Sequence, residues 1–167
     1  MKRVIGLIGA SLLLMVSCYA QSVYHERVAD RYDVPDVVLK AFEAAYPKGW
    51  ARGYSMVDQD GAVSYKIEFK EGRSHRFASY NKEGKLVKVE DLIVETDLPA
   101  NARQSIQEKY PNATITFAEK VTQGDQVSYR ANAKKDDKLF RLEFDADGKT
   151  TLAHEVKVTM VFNRVPE

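Results

Sequence analysis

Two hydrophobic rhythms alternate along this chain. Val38, Ala41, Phe42 and Ala45 recur at helical spacing, the signature of one buried helical face. Pro35 suits a first helical turn, and Asp33 just before it can accept hydrogen bonds from free amide donors; Tyr46-Pro47 stops the run because proline cannot continue the ladder. The rhythm then becomes strict alternation. Tyr65, Ile67 and Phe69 fall on one side and Lys66, Glu68 and Lys70 on the other, which predicts a strand with one dry face.

The same succession starts again further on. Leu98, Ala102 and Ile106 form the apolar stripe of a more polar helix over 100–109, whose stability must come from docking. Val127, Tyr129, Ala131 and Ala133 then alternate with Ser128, Arg130, Asn132 and Lys134, and Phe140, Leu142 and Phe144 with Arg141 and Glu143. Glycine- and aspartate-rich turns separate the strands, among them Asp60-Gly61, Glu83-Gly84, Asp136-Asp137 and Asp147-Gly148, and such tight turns favour antiparallel hairpins. The predicted strands are 52–57, 63–70, 74–80 and 86–94, then 115–121, 127–134, 138–144 and 150–162. The last of these runs past the end that the first set suggests, and its alternation over 154–162 predicts that it joins two sheets or pairs with a partner.

A constant offset relates the two halves. Asp33 matches Asp97, Pro35 matches Pro99, Tyr46-Pro47 matches Tyr110-Pro111, Val63-Ser64-Tyr65 matches Val127-Ser128-Tyr129, and Gly84-Lys85 matches Gly148-Lys149, every pair 64 residues apart. The fold class read from these patterns is α+β: two tandem repeats, each one helix followed by a four-stranded antiparallel meander, with the helices packed on one face of the sheet. The predicted division is a signal peptide at 1–20, an N-terminal linker at 21–32, a first repeat at 33–96, a second at 97–162 and a tail at 163–167.

The leader sets the compartment. Met1-Lys2-Arg3 is a basic head and the apolar run from Val4 to Val16 is too short to span a bilayer of ~30 Å. Cleavage after Ala20 is the preferred reading, which makes the protein periplasmic. The alternative is a lipoprotein anchored through Cys18, since Met15-Val16-Ser17-Cys18 is an imperfect lipoprotein box. Removing 20 of 167 residues leaves 147, with no cysteine, so the core alone must stabilise the fold. Lys2 and Arg3 depart with the leader, leaving 23 basic against 24 acidic side chains, a balance that offers nucleic acid no footprint.

Candidate chemistry is sparse. His25, His75 and His154 lack metal-ligand spacing, and the adjacent Ser74 and His75 point to opposite strand faces, so they form no nucleophile and base. Glu143, Asp145 and Asp147 resemble half of a calcium loop whose closing ligand is replaced by His154, and a hairpin turn accounts for them more simply. No catalytic, metal or cofactor residue is predicted. Surface recognition is left, for which the candidate residues are Trp50, Tyr54, Lys66, Glu68, Lys70, Arg130 and Lys134. For the two aromatics the favoured reading is packing where helix meets sheet, with an interface anchor as the alternative.

The run Val34-Pro35, Ala41-Phe42, Tyr46-Pro47, a strand, a Gly-Lys turn and then Leu98-Pro99 and Tyr110-Pro111 resembles the PepSY-like proteins, also described as β-lactamase-inhibitor-like, small exported proteins of Bacteroides-type bacteria. The resemblance covers about residues 33–160. It implies a pair of helix-plus-sheet units, an envelope location and an inhibitory or regulatory binding role without catalysis. The absence of cysteine from the mature domain departs from the secreted lactamase inhibitors, which carry disulfides. The expected function is therefore non-catalytic binding of another envelope protein or peptide, possible peptidase inhibition included, through a sheet face or edge. The alternative is a small-molecule or peptide carrier with a groove between the repeats.

Overall fold

Alternation becomes hairpins wherever a turn residue can adopt a positive φ, and the chain does so repeatedly. The computed structural model describes residues 24–156. In chain order it contains β1 (Tyr24–Ala29), α1 (Asp36–Ala45), β2 (Trp50–Gln59), β3 (Ala62–Glu71), β4 (Ser74–Asn81), β5 (Leu86–Leu92), α2 (Ala100–Lys109), β6 (Thr114–Gln123), β7 (Gln126–Lys135), β8 (Lys138–Asp145) and β9 (Thr150–Val156). Short 3-10 turns at Arg31–Asp33 and Glu95–Asp97 precede the helices. The predicted leader, Cys18, and everything after residue 156 lie outside the described residues.

All nine strands form one antiparallel sheet in the order β1 to β9. This overturns the expected pair of helix-plus-meander repeats. Two features make the difference. The stretch 24–29, read as linker, is an edge strand paired with β2 from Tyr24 opposite Gln59 to Ala29 opposite Tyr54. In addition, β5 and β6 pair directly over Val89–Leu92 and Glu119–Thr122, so the two halves share one ladder. Separate meanders would have left two internal edges with unpaired amides and carbonyls, and pairing them removes both. The sheet is therefore joined at its middle and not by the last strand, whose described part, β9, pairs with β8.

Both helices cover the same face. Val34, Val38, Leu39 and Phe42 pack on Ile67, Phe69, Ala78 and Tyr80, while Leu98, Ala102 and Ile106 pack on Ala131, Ala133, Leu142 and Phe144. Leu98, Ala102 and Ile106 are buried as their spacing predicts, but on α1 Leu39 is buried where Ala45 was expected and Ala45 is exposed. Nor does Asp33 cap α1. Pro35 occupies the cap position, and the Asp33 carboxylate closes the preceding 3-10 turn by accepting from the Asp30 amide at 3.1 Å.

Irregularities recur at the same 64-residue spacing as the sequence pairs: bulges lie at Ala51/Gly53 and Ile115/Phe117, and again at Ser79/Tyr80 and Glu143/Phe144. Bulges bend and twist the strands that carry them, which bears on the face opposite the helices.

Candidate functional site

Strand alternation places the helix-covered side chains on one face and leaves a second face of mixed character. Opposed pairs share a face, so the register puts Val28, Ser55, Lys66, Ser79 and Lys88 together on this second face, and likewise Glu68, Phe77, Glu90 and Val121, and then Glu119, Arg130 and Glu143. On a flat sheet the seven spacings from β1 to β8 amount to about 34 Å. Yet Glu26 of β1 and Glu143 of β8 line one cavity of about 570 Å³. Val57 of β2 and Val121 of β6 are buried on the same face and both line an adjoining cavity of about 310 Å³. The sheet is thus rolled with its polar face inward, forming a basin across its centre.

Charge in the basin is balanced: Glu26, Glu90, Glu119 and Glu143 face Lys66, Lys88, Arg130 and Arg141 around the larger cavity. At its heart Arg130 donates to two carboxylates, to Glu119 at 2.6 Å and to Glu90 at 3.3 Å, and Lys88 Nζ reaches the same Oε1 of Glu90 at 2.8 Å. The side chains of Glu90 and Glu119 are only 5% and 6% exposed. These contacts tie β5, β6 and β7 together across the seam between the two halves. Lys66 lies 3.1 Å from Glu26, two strands away, with its ammonium 4.8 Å from the Phe77 ring centre. Among the described residues Arg141 makes no ion pair; its Nε donates to the Asn132 amide oxygen at 3.3 Å.

The two buried acids titrate in opposite directions. Burial pushes Glu90 up, but Lys88, then Lys66 and Arg130, outweigh it and hold its carboxyl below the ordinary 4.5. For Glu119 burial prevails: Arg130 resists, the neighbouring Glu90 charge reinforces, and the carboxyl stays above 4.5. Linkage gives the signs. A raised carboxyl pKa means that the folded state binds more protons, so Glu119 withdraws stability as pH rises upward from 4.5. The depressed pKa of Glu90 contributes stability above 4.5 that is lost as pH falls through its folded value. In urea titrations across pH, wild type is expected to lose stability relative to Glu119→Gln as pH rises past this range. It is expected to lose stability relative to Glu90→Gln as pH falls. Parallel curves for all three proteins would contradict both assignments.

The structure gathers some of the sequence-selected residues and scatters others. Lys66 and Arg130 line both central cavities, and Glu68 joins Lys66 and Phe77 around a third, of about 460 Å³, toward β1 and β2. Lys70 and Lys134 are exposed and line none of these three cavities. Trp50 does not pack between helix and sheet: it is 65% exposed at the start of β2, with the Arg52 guanidinium 5.2 Å from its ring centre. Tyr54 does pack against the first core, and its hydroxyl accepts from Arg31 at 3.3 Å. His75 pairs with Glu68 at 2.7 Å and stacks on Phe77, while His25 and His154 are exposed. The acidic turn closes on itself, Asp145 Oδ1 accepting from the amides of Asp147 and Lys149.

Sequence reasoning missed Glu90, Glu119, Lys88, Arg141 and Glu143 as site residues. One signal was present. Glu119 shares its strand face with Phe117 and Val121, a charge at the inward position of an otherwise apolar alternation. Such a charge needs a partner if buried.

Several solved structures have this fold. A protein of Bacteroides eggerthii described as periplasmic superposes with a TM-score of 0.63 at 16% identity, over 73% of this chain and 88% of its own. A DUF2874-family protein of Bacteroides ovatus gives 0.60 at 19% identity, over 72% and 86%. A BLIP-like protein of Bacteroides fragilis gives 0.59 at 14% identity, over 78% and 94%. At these identities the likeness is one of fold. No family model matches the chain, and no curated protein matches it at a significant level.

Proposed function

We propose that this chain is a non-catalytic binding protein of the bacterial envelope that recognises a protein partner with the polar inner face of its rolled sheet. The observation that carries this reading is the central basin. Eight charged side chains from β1, β3, β5, β6, β7 and β8 converge around one cavity, six of them held in ion pairs and Arg141 and Glu143 outside those pairs. Balanced, largely pre-paired charge suits selection of a partner with a complementary pattern and penalises a mismatched one. The charged lining also argues against an apolar carrier groove, because small-molecule pockets are lined predominantly by hydrophobic and aromatic groups.

The envelope location draws on the basic head and apolar run at residues 1–16, and on fold neighbours such as the one described as periplasmic. The PepSY-like resemblance and the BLIP-like name of one neighbour favour an inhibitory form of this function, with a peptidase as the first target class to test. The test is capture from the native envelope extract by the full mature protein. Wild type and Lys40→Glu, altered on exposed α1, should retain the same partner, whereas Arg141→Glu should lose at least half of it. Retention equal in all three proteins would exclude the inner face as the recognition surface.

A further inference from the structure

Glu90 is nearly enclosed, yet its hydrogen bonding is incomplete. Oε1 takes both Lys88 and Arg130, whereas Oε2 is buried without any hydrogen-bond partner. A buried carboxylate oxygen left unpaired is costly, and native structures rarely leave one without reason. The donors nearby are already engaged. Arg130 is divided between two buried carboxylates, Lys88 is held at Oε1, and Lys66 is drawn 3.1 Å from Glu26. The same cavity wall carries Glu119, which burial keeps reluctant to ionise, and Glu143, whose side chain forms no hydrogen bond or ion pair among the described residues. It also carries Phe117, an aromatic surface for an aliphatic stem.

We infer that the basin is completed by a cationic side chain of the partner, an ammonium or guanidinium on an aliphatic stem, which enters the cavity and donates to Oε2 of Glu90 once a small side-chain rotation uncovers that buried oxygen. This rests on the inner face being the recognition surface. A water molecule can supply a hydrogen bond to Oε2 but no charge, and charge-assisted hydrogen bonds are roughly twice as strong as neutral ones. The stem is accommodated by the aromatic wall and the charged tip by the carboxylates, the division of labour that long basic side chains make elsewhere.

The test uses the mature protein and two blocked amino acids, Nα-acetyl-lysine amide and its uncharged counterpart Nα-acetyl-norleucine amide, followed by heteronuclear NMR. The lysine probe is expected to shift resonances of β5 and β6, and the norleucine probe to leave them in place. Glu90→Gln should weaken the lysine probe about ten-fold, the effect of removing one charge-assisted hydrogen bond. A second readout needs no variant: in wild type, saturating lysine probe should lower the pH at which the Glu119 carboxyl titrates. Equal response to both probes, unchanged affinity in Glu90→Gln, or an unmoved Glu119 titration would each overturn the inference. If the envelope partner is captured in an Arg141-dependent manner while the lysine probe is ignored, the face is right and the cation wrong. If capture is indifferent to Arg141, the face itself is wrong.

Discussion

Replacing Arg130 by methionine should cost about 3–5 kcal/mol of folding stability, read by urea denaturation at neutral pH. The reason is placement. Arg130 is the only basic side chain that reaches both Glu90 and Glu119 within ion-pair distance among the described residues, and both carboxylates are almost fully buried. Methionine preserves much of the volume but strands Glu119 with no ion-pair partner and leaves Glu90 with Lys88 alone. Replacing both acids with glutamine in the Arg130→Met background should recover most of the loss, because a neutral buried amide has far less solvation to surrender than a carboxylate. A buried ion-pair triad is itself weak evidence of net stabilisation, so the informative quantity is this recovery. A loss under 1 kcal/mol, or no recovery, would show that water reaches these carboxylates and that the network does not hold the seam.

Gly148→Ala should be the other large effect, about 2–4 kcal/mol, because two independent penalties coincide. Gly148 adopts φ +81°, where an L side chain is strained, and an added Cβ would lie 2.8 Å from the Ala102 amide nitrogen and 2.8 Å from Pro99 Cβ. The turn between β8 and β9 presses directly on the start of α2, fastened by Asn101 Nδ2 donating to the Asp147 carbonyl at 3.1 Å. An internal control separates the penalties. Gly61 has nearly the same φ, +84°, but nothing within 4 Å of its Cβ position. Gly61→Ala should therefore cost only about 1 kcal/mol. Equal losses at the two sites would mean that the turn does not bear on the helix as the structure shows.

These two sites also mark where sequence and structure part company. Gly148 was visible as a turn residue, because glycine after aspartate between alternating strands is a local signal. Its contact with α2 was not, since nothing local records which helix a turn will meet. Lys66 and Arg130 were correctly set on the polar side of their strands by alternation alone. That they converge on one basin depends on the roll of the sheet, which the periodicity of a single strand does not contain. Trp50 was legible as a large aromatic and nothing more; it stands opposite Lys70 at the start of β2, on the face away from the helices.

Strand β1 escaped notice for a physical reason. It has an edge position, only Ala29 is buried among its residues, and Val28 is 87% exposed, so no dry face imprints an alternation on 24–29. The pairing of β5 with β6 escaped for another. It is made of backbone hydrogen bonds between segments separated by α2, and backbone groups are the same in every residue.

From its sequence alone, then, the chain dictates its local elements: two short helices, the inner hairpins, their turns and the apolar side of strands such as β3, β7 and β8, because periodicity and turn chemistry act over a few neighbouring residues. Only the tertiary structure decides that the strands share one rolled sheet and that Glu90, Glu119 and Arg130 meet inside it. Ladder pairing and the burial of charge are settled between residues that lie far apart along the chain, where sequence carries no local mark of the partner.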